Sequence, residues 1–138
     1  MMNFRTIALC ASVAILPGIA LAQGAGSVAS SGVYTEVQAA RGQAKYSTTC
    51  AACHGEDLGG QDVAPPLSGS KFSGNWKGQT VGDLATRIHT TMPLDNPGSL
   101  GAAAVADVSA YILSKNGYPA GKTELPRDAG LLQSTKID

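Results

Sequence analysis

Two thiols stand three positions apart and an imidazole follows the second, in the run Cys50-Ala51-Ala52-Cys53-His54. On a helix, Cys50 and Cys53 sit about one turn apart. Each can form a thioether with one vinyl group of the same haem, and His54 then places its ring under the iron. C-x-x-C-H is the signature of c-type haem attachment. The same residue types also serve redox dithiols and zinc sites. A thioredoxin-like dithiol expects a βαβ setting that the chain does not show. Zinc needs further ligands, and no Cys follows position 53.

Iron bound by His54 needs a second axial ligand or an open position. Met92 lies 38 residues after His54 and directly before Pro93, where a loop can lift its sulfur to the metal. A lone Met is ordinarily a core filler; beside a haem it becomes the leading ligand candidate. His89 is the rival. It stands one position off the apolar stripe of Leu84 and Ile88, which suits a surface histidine or one that supports the site indirectly.

The N-terminus changes the inventory. Met1 to Arg5 is short and basic, Thr6 to Ala22 is apolar, and Ala20-Leu21-Ala22 precedes Gln23 as a small-x-small cleavage site. Residues 1–22 therefore read as a cleaved secretory signal, which places the protein in the periplasm. The apolar run falls short of the roughly 20 residues a membrane span needs and contains Pro17-Gly18, so no membrane anchor is expected. Cleavage removes Met1, Met2, Arg5 and Cys10, leaving Cys50, Cys53, His54, His89 and Met92 as the full set of soft and imidazole donors. Ten basic residues face ten acidic ones in the whole chain. That balance argues against a nucleic-acid partner.

These residues need elements to hold them. Residues 23–33 are rich in Gly, Ala and Ser and read as a flexible leader. Thr35 and Gln38 fit a capping box opening a first helix that runs into Cys50. Val37, Ala40 and Ala44 recur at helical spacing, while Gly42 and Tyr46 set a bare patch beside an aromatic, as if another backbone crossed there. Residues 55–79 read as a long irregular loop. A second helix opens on Thr80 and Asp83, buries Val81, Leu84, Ala85 and Ile88, and stops at Pro93 with Met92 extended. Ser99 is the expected cap of a third helix with Val105, Val108, Tyr111 and Ile112 inward and Gly117 as its stop. The tail, 126–138, is loop-like with a helical turn after Pro126. The expectation is a small all-α cytochrome c-type fold over 34–125, with about three main helices and long loops around one haem.

The chain resembles the class I c-type cytochromes, and within them the small cytochromes and haem domains associated with quinoprotein (PQQ) alcohol dehydrogenases. The likeness spans about 34–126. It rests on Tyr46 to Gly55, Ala64-Pro65-Pro66-Leu67, Trp76, Thr80 to Pro93 ending Thr-Thr-Met-Pro, Pro97 to Leu100, Ala110 to Leu113 and Asn116 to Pro119.

The resemblance implies one covalent haem c with its iron, Cys50 and Cys53 as thioether anchors, and His54 and Met92 as axial ligands. It implies that Gly42 and Tyr46 pack against Tyr111, and that the Pro65 carbonyl accepts a hydrogen bond from His54. Trp76 and Arg87 would meet haem propionates; the plainer readings are core packing for Trp76 and an i,i+4 pairing with Asp83 for Arg87. The implied protein is a monomeric electron carrier rather than an enzyme. It would take electrons from a quinoprotein alcohol dehydrogenase and pass them to a terminal oxidase or another cytochrome. A permanent haem subunit of a dehydrogenase complex, and a ligand-binding haem sensor or enzyme, remain as alternatives.

Overall fold

A computed structural model of the chain describes residues 27–138. The expected signal over 1–22, Cys10 and the first part of the leader lie outside the described residues. The elements, in order, are single turn α1 (Val28–Ser31), α2 (Glu36–Thr49), single turn α3 (Ala51–His54), α4 (Gly69–Trp76), α5 (Val81–Thr91), α6 (Ala102–Lys115) and a 3-10 turn (Ala129–Leu132). Among the described residues β pairing is limited to isolated bridges. The architecture is small and all-α, as expected. Among the described residues no helix is long and apolar enough to cross a membrane.

The centre is the crossing of α2 and α6. The Gly42 backbone lies so close to α6 that a Cβ there would sit 1.9 Å from the Asp107 carbonyl oxygen. Only glycine permits that approach. One turn on, the Tyr46 ring packs against Tyr111 with centroids 5.3 Å apart and planes tilted by 55°, an attractive arrangement for two aromatics.

The buried face of α2 is thus Ala39, Gly42 and Tyr46, together with Gln38. This corrects the stripe read from Val37, Ala40 and Ala44: all three are exposed, Val37 by 66%. Helical spacing identifies a face, but Gly42 and Tyr46 alone match the shape of α6.

The N-cap of α2 forms by half. The Thr35 hydroxyl accepts from the Gln38 backbone N–H. The Gln38 side chain, expected to return to Thr35, instead grips Leu125: its amide donates to the Leu125 carbonyl at 3.1 Å and its Oε1 accepts the Leu125 N–H at 2.7 Å. A buried amide must satisfy both of its ends, and a passing backbone segment does so in one pair of bonds.

The second helix matches its expectation closely. Thr80 and Asp83 make a complete capping box, and Val81, Leu84, Ala85 and Ile88 are buried. The third starts after Gly101 rather than at Ser99. Ser99 is occupied by a turn, its N–H donating to the Asn96 carbonyl, and Leu100 is drawn into the core before the helix begins.

The expected loop over 55–79 contains α4, which the run Gly-Ser-Lys-Phe-Ser-Gly-Asn-Trp conceals through its two weak helix formers, Gly69 and Gly74. Tertiary packing supplies what propensity lacks: Phe72 is fully buried and stacks on Trp76.

Both ends of the described segment, 27–138, are tied to the core. Val28, in the segment read as a flexible leader, is buried and donates its N–H to the Lys136 carbonyl. In the tail, the turn after Pro126 is present. Leu132 and Ile137 are buried, and Thr135 and Ile137 bond Val81 and Gln79 across the start of α5.

Candidate haem site

The thiols arrive on a bend. Cys50 ends α2 and begins α3; its N–H donates to Tyr46 and its carbonyl accepts from the His54 N–H at 2.9 Å. That single turn places Cys50 half-buried, Cys53 exposed and His54 7% exposed. Burial pushes the Cys50 thiol above its ordinary range, with Lys45 pulling the other way and Cys53 adding to the rise. Neither Cys50 nor Cys53 is tied up in a disulfide.

The turn is held from α2. The Tyr46 hydroxyl donates to the Gly55 carbonyl at 2.7 Å, so one residue packs the helix crossing and fixes the peptide just after His54. Burial drives the Tyr46 phenol well above its ordinary range. Sequence reasoning placed Tyr46 at the crossing and missed this second bond. The signal available was its position one helical turn before Cys50.

The chain after His54 doubles back over it. Gly60 donates to the His54 carbonyl at 2.8 Å, and the Leu67 N–H closes on Leu58 at 2.7 Å. Gly60 has φ +77°, and a Cβ there would strike the Ala64 carbonyl and Pro66 nitrogen. The result brings the Pro65 carbonyl to 2.9 Å from His54 Nδ1. A carbonyl can only accept, so Nδ1 carries the proton and Nε2 keeps its lone pair for a metal.

Met92 caps α5 with extended backbone (φ −120°, ψ 152°), its N–H still donating to Ile88. The Met92–Pro93 peptide is cis. The residue is half-buried against the core. Trp76 stacks on Phe72 with centroids 6.1 Å apart. Arg87 is exposed. Among the described residues the ion pairs are those of Arg41 with Asp107 and Glu124, so the Asp83–Arg87 pair is not formed; Asp83 faces the Thr80 N–H instead. His89 is exposed and directs Nδ1 at the Leu100 carbonyl.

Two thiols one turn apart, an imidazole with Nδ1 engaged and Nε2 open, and a thioether on an extended strand-like residue form a donor set that fits a covalently attached haem. No group of three or more His, Cys, Asp or Glu side chains gathers among the described residues to hold a bare metal ion.

Fold and donor set together define a c-type cytochrome. The chain belongs to the family described as cytochrome c oxidase, cbb3-type, subunit III, whose pattern matches residues 37–112. It is 36% identical over 103 residues to the thiosulfate dehydrogenase of Stutzerimonas stutzeri (strain A1501), a match covering 70% of this chain and 31% of that protein. The chain therefore spans less than a third of that relative's length. In fold it is similar to the crystal structure of the sulfane dehydrogenase SoxCD from Paracoccus pantotrophus: the TM-score is 0.52 at 20% identity, over 77% of this chain and 62% of that one. The cofactor of such cytochromes is haem c with its iron, and their work is electron transfer.

Proposed function

We propose that Cys50 and Cys53 carry the haem as thioethers, that His54 and Met92 are its axial ligands, and that the protein is a periplasmic one-electron carrier. The hydrogen bond from His54 Nδ1 to Pro65 carries this reading. It fixes the tautomer, holds the ring plane and makes Nε2 a better donor, as the outer partners of ligating histidines do. When bound, the haem supplies a one-electron iron couple. The two covalent anchors keep it in place outside the cell. With His54 and Met92 both holding the iron, no site would be left for substrate or oxygen, and the Met92 thioether would raise the potential relative to a second histidine. Trp76 and Arg87 are the candidates to meet the propionates. Arg87 has its guanidinium free of ion pairs among the described residues, which suits that role.

The donor we propose is a quinoprotein alcohol dehydrogenase, and the acceptor a terminal oxidase or a second cytochrome. The order of motifs from Cys50-x-x-Cys53-His54 to Thr-Thr-Met92-Pro93 supports this. With a net formal charge close to zero, ten basic against ten acidic residues in the whole chain and one basic residue fewer once Arg5 is cleaved, long-range steering is weak, and docking relies on a small contact that releases quickly. A second reading, a haem subunit serving oxidation of a sulfur compound, is favoured by the identity to a thiosulfate dehydrogenase. Stopped-flow reduction decides between them. The carrier is mixed with a quinoprotein alcohol dehydrogenase and its alcohol, or with a thiosulfate dehydrogenase and thiosulfate. Fast reduction by the first and slow by the second supports the alcohol reading; the reverse replaces it. Rapid binding of carbon monoxide to the reduced protein at neutral pH would overturn the carrier reading in favour of a ligand-binding haem protein.

A further inference from the structure

We infer that His89 is the positioning residue for Met92, its ring closing the loop that carries the sulfur. The inference rests on the reading of Met92 as an axial ligand. His89 occupies the last turn of α5, three residues before Met92. Its Nδ1 lies 3.1 Å from the Leu100 carbonyl oxygen. That oxygen can only accept, so Nδ1 is the donor.

Leu100 is a fixed point, its side chain being only 7% exposed. Between the two residues the chain makes two successive turns: Asn96 N–H donates to Pro93 at 2.9 Å, and Ser99 N–H to Asn96 at 3.3 Å. Gly98, with φ +80°, folds back until a Cβ there would touch the His89 carbonyl at 3.8 Å. The segment from 89 to 100 is therefore a closed loop. Its start is held by the Met92 N–H on Ile88, and its mouth by the His89 ring.

Little else holds it. Residues 94–99 are all exposed, Leu94 by 75%, so the loop has few buried apolar contacts and belongs to the part of the fold that opens locally. In such a segment one side-chain bond across eleven positions governs how often Met92 leaves its place. The effect falls on loop opening rather than on global unfolding, since His89 buries nothing in the core.

Cyanide binding to the oxidised haem-loaded protein reads this directly, because cyanide must wait for the Met92 sulfur to leave. The weak far-red band of a methionine–Fe(III) bond reports ligation at rest. His89→Ala should keep that band at neutral pH yet bind cyanide about five- to tenfold faster, the factor that one net hydrogen bond supplies. In His89→Asn the side-chain amide stands where Nδ1 stood and can donate to Leu100, so the rate should return towards wild type. Arg41→Ala removes a distant tie and should leave the rate unchanged. Cyanide binding at the wild-type rate in His89→Ala, or equal acceleration in the Ala and Asn variants, would overturn the inference. A wild-type protein without the band, or a Met92→Ala variant that keeps it, sinks the ligand assignment itself. If wild type lacks the band and His89→Ala, but not Met92→Ala, opens the iron to rapid cyanide binding, His89 is the ligand and both readings fall.

Discussion

Gly42 meets Asp107 backbone to backbone: a Cβ on Gly42 would lie 1.9 Å from the Asp107 carbonyl oxygen. The site depends on this contact, because α2 carries Cys50 at its end and Tyr46 beside the crossing. In Gly42→Ala the helices must separate, since the obstacle is backbone and cannot rotate away. The expected loss is at least about 1–3 kcal/mol, the usual range for overpacking. Chemical denaturation of the haem-loaded protein measures it. Unchanged stability would show that the crossing is looser than described.

Tyr46→Phe separates the ring from the hydroxyl. The stacking on Tyr111 stays, while the Gly55 carbonyl loses its 2.7 Å donor. A buried acceptor left unpaired costs about 1–3 kcal/mol. The denaturation midpoint should fall by a corresponding amount, and haem attached per chain should fall with it if the turn must be shaped before attachment.

The assignment of the ligands and anchors has its own test. Met92→Ala should lose the far-red band, lower the reduction potential and bind carbon monoxide in the reduced state. The double variant Cys50→Ala with Cys53→Ala should release its haem into acidified organic solvent, where wild type retains it. Haem that stays with the double variant would place the covalent link elsewhere.

Asp83 predicts a pH effect. The Thr80 backbone N–H, and then its side chain, hold the Asp83 carboxyl below the ordinary aspartate range. A depressed folded value means that the stabilisation is fully present above the unfolded pKa, about 3.9, and is lost as pH falls through the folded value. Asp83→Asn should therefore be less stable than wild type at neutral pH, with the gap closing in acid. Thr80→Ala removes the other half of the box and should cost about 0.5–2 kcal/mol. A gap independent of pH would mean that the charge of Asp83 contributes nothing.

The site was legible where chemistry is written in adjacent residues. Cys50, Cys53 and His54 share one turn, so their spacing alone brings them together. Met92 before Pro93 announces its extended backbone because the proline ring excludes the helical alternative. The His54 bond to Pro65 came only through the family likeness, since Pro65 lies eleven positions on across irregular loop and no periodicity describes such a path. The His89 bond to Leu100 could not be read at all. It depends on two turns closing in register and on Leu100 being anchored in the core.

The sequence by itself determined the haem motif, the capping box of α5, the inward faces of α5 and α6 and the extended Met92, because each follows from neighbours within about one helical turn. The tertiary structure decided which face of α2 turns inward, whether Gly69–Trp76 is a helix, and how Val28 and the tail after Pro126 are held. Those outcomes depend on partners distant in sequence. Val37, Ala40 and Ala44 are as apolar as a core requires, yet the close approach of Asp107 selects Gly42. Phe72 makes a helix of a glycine-rich stretch because burying it outweighs weak propensity.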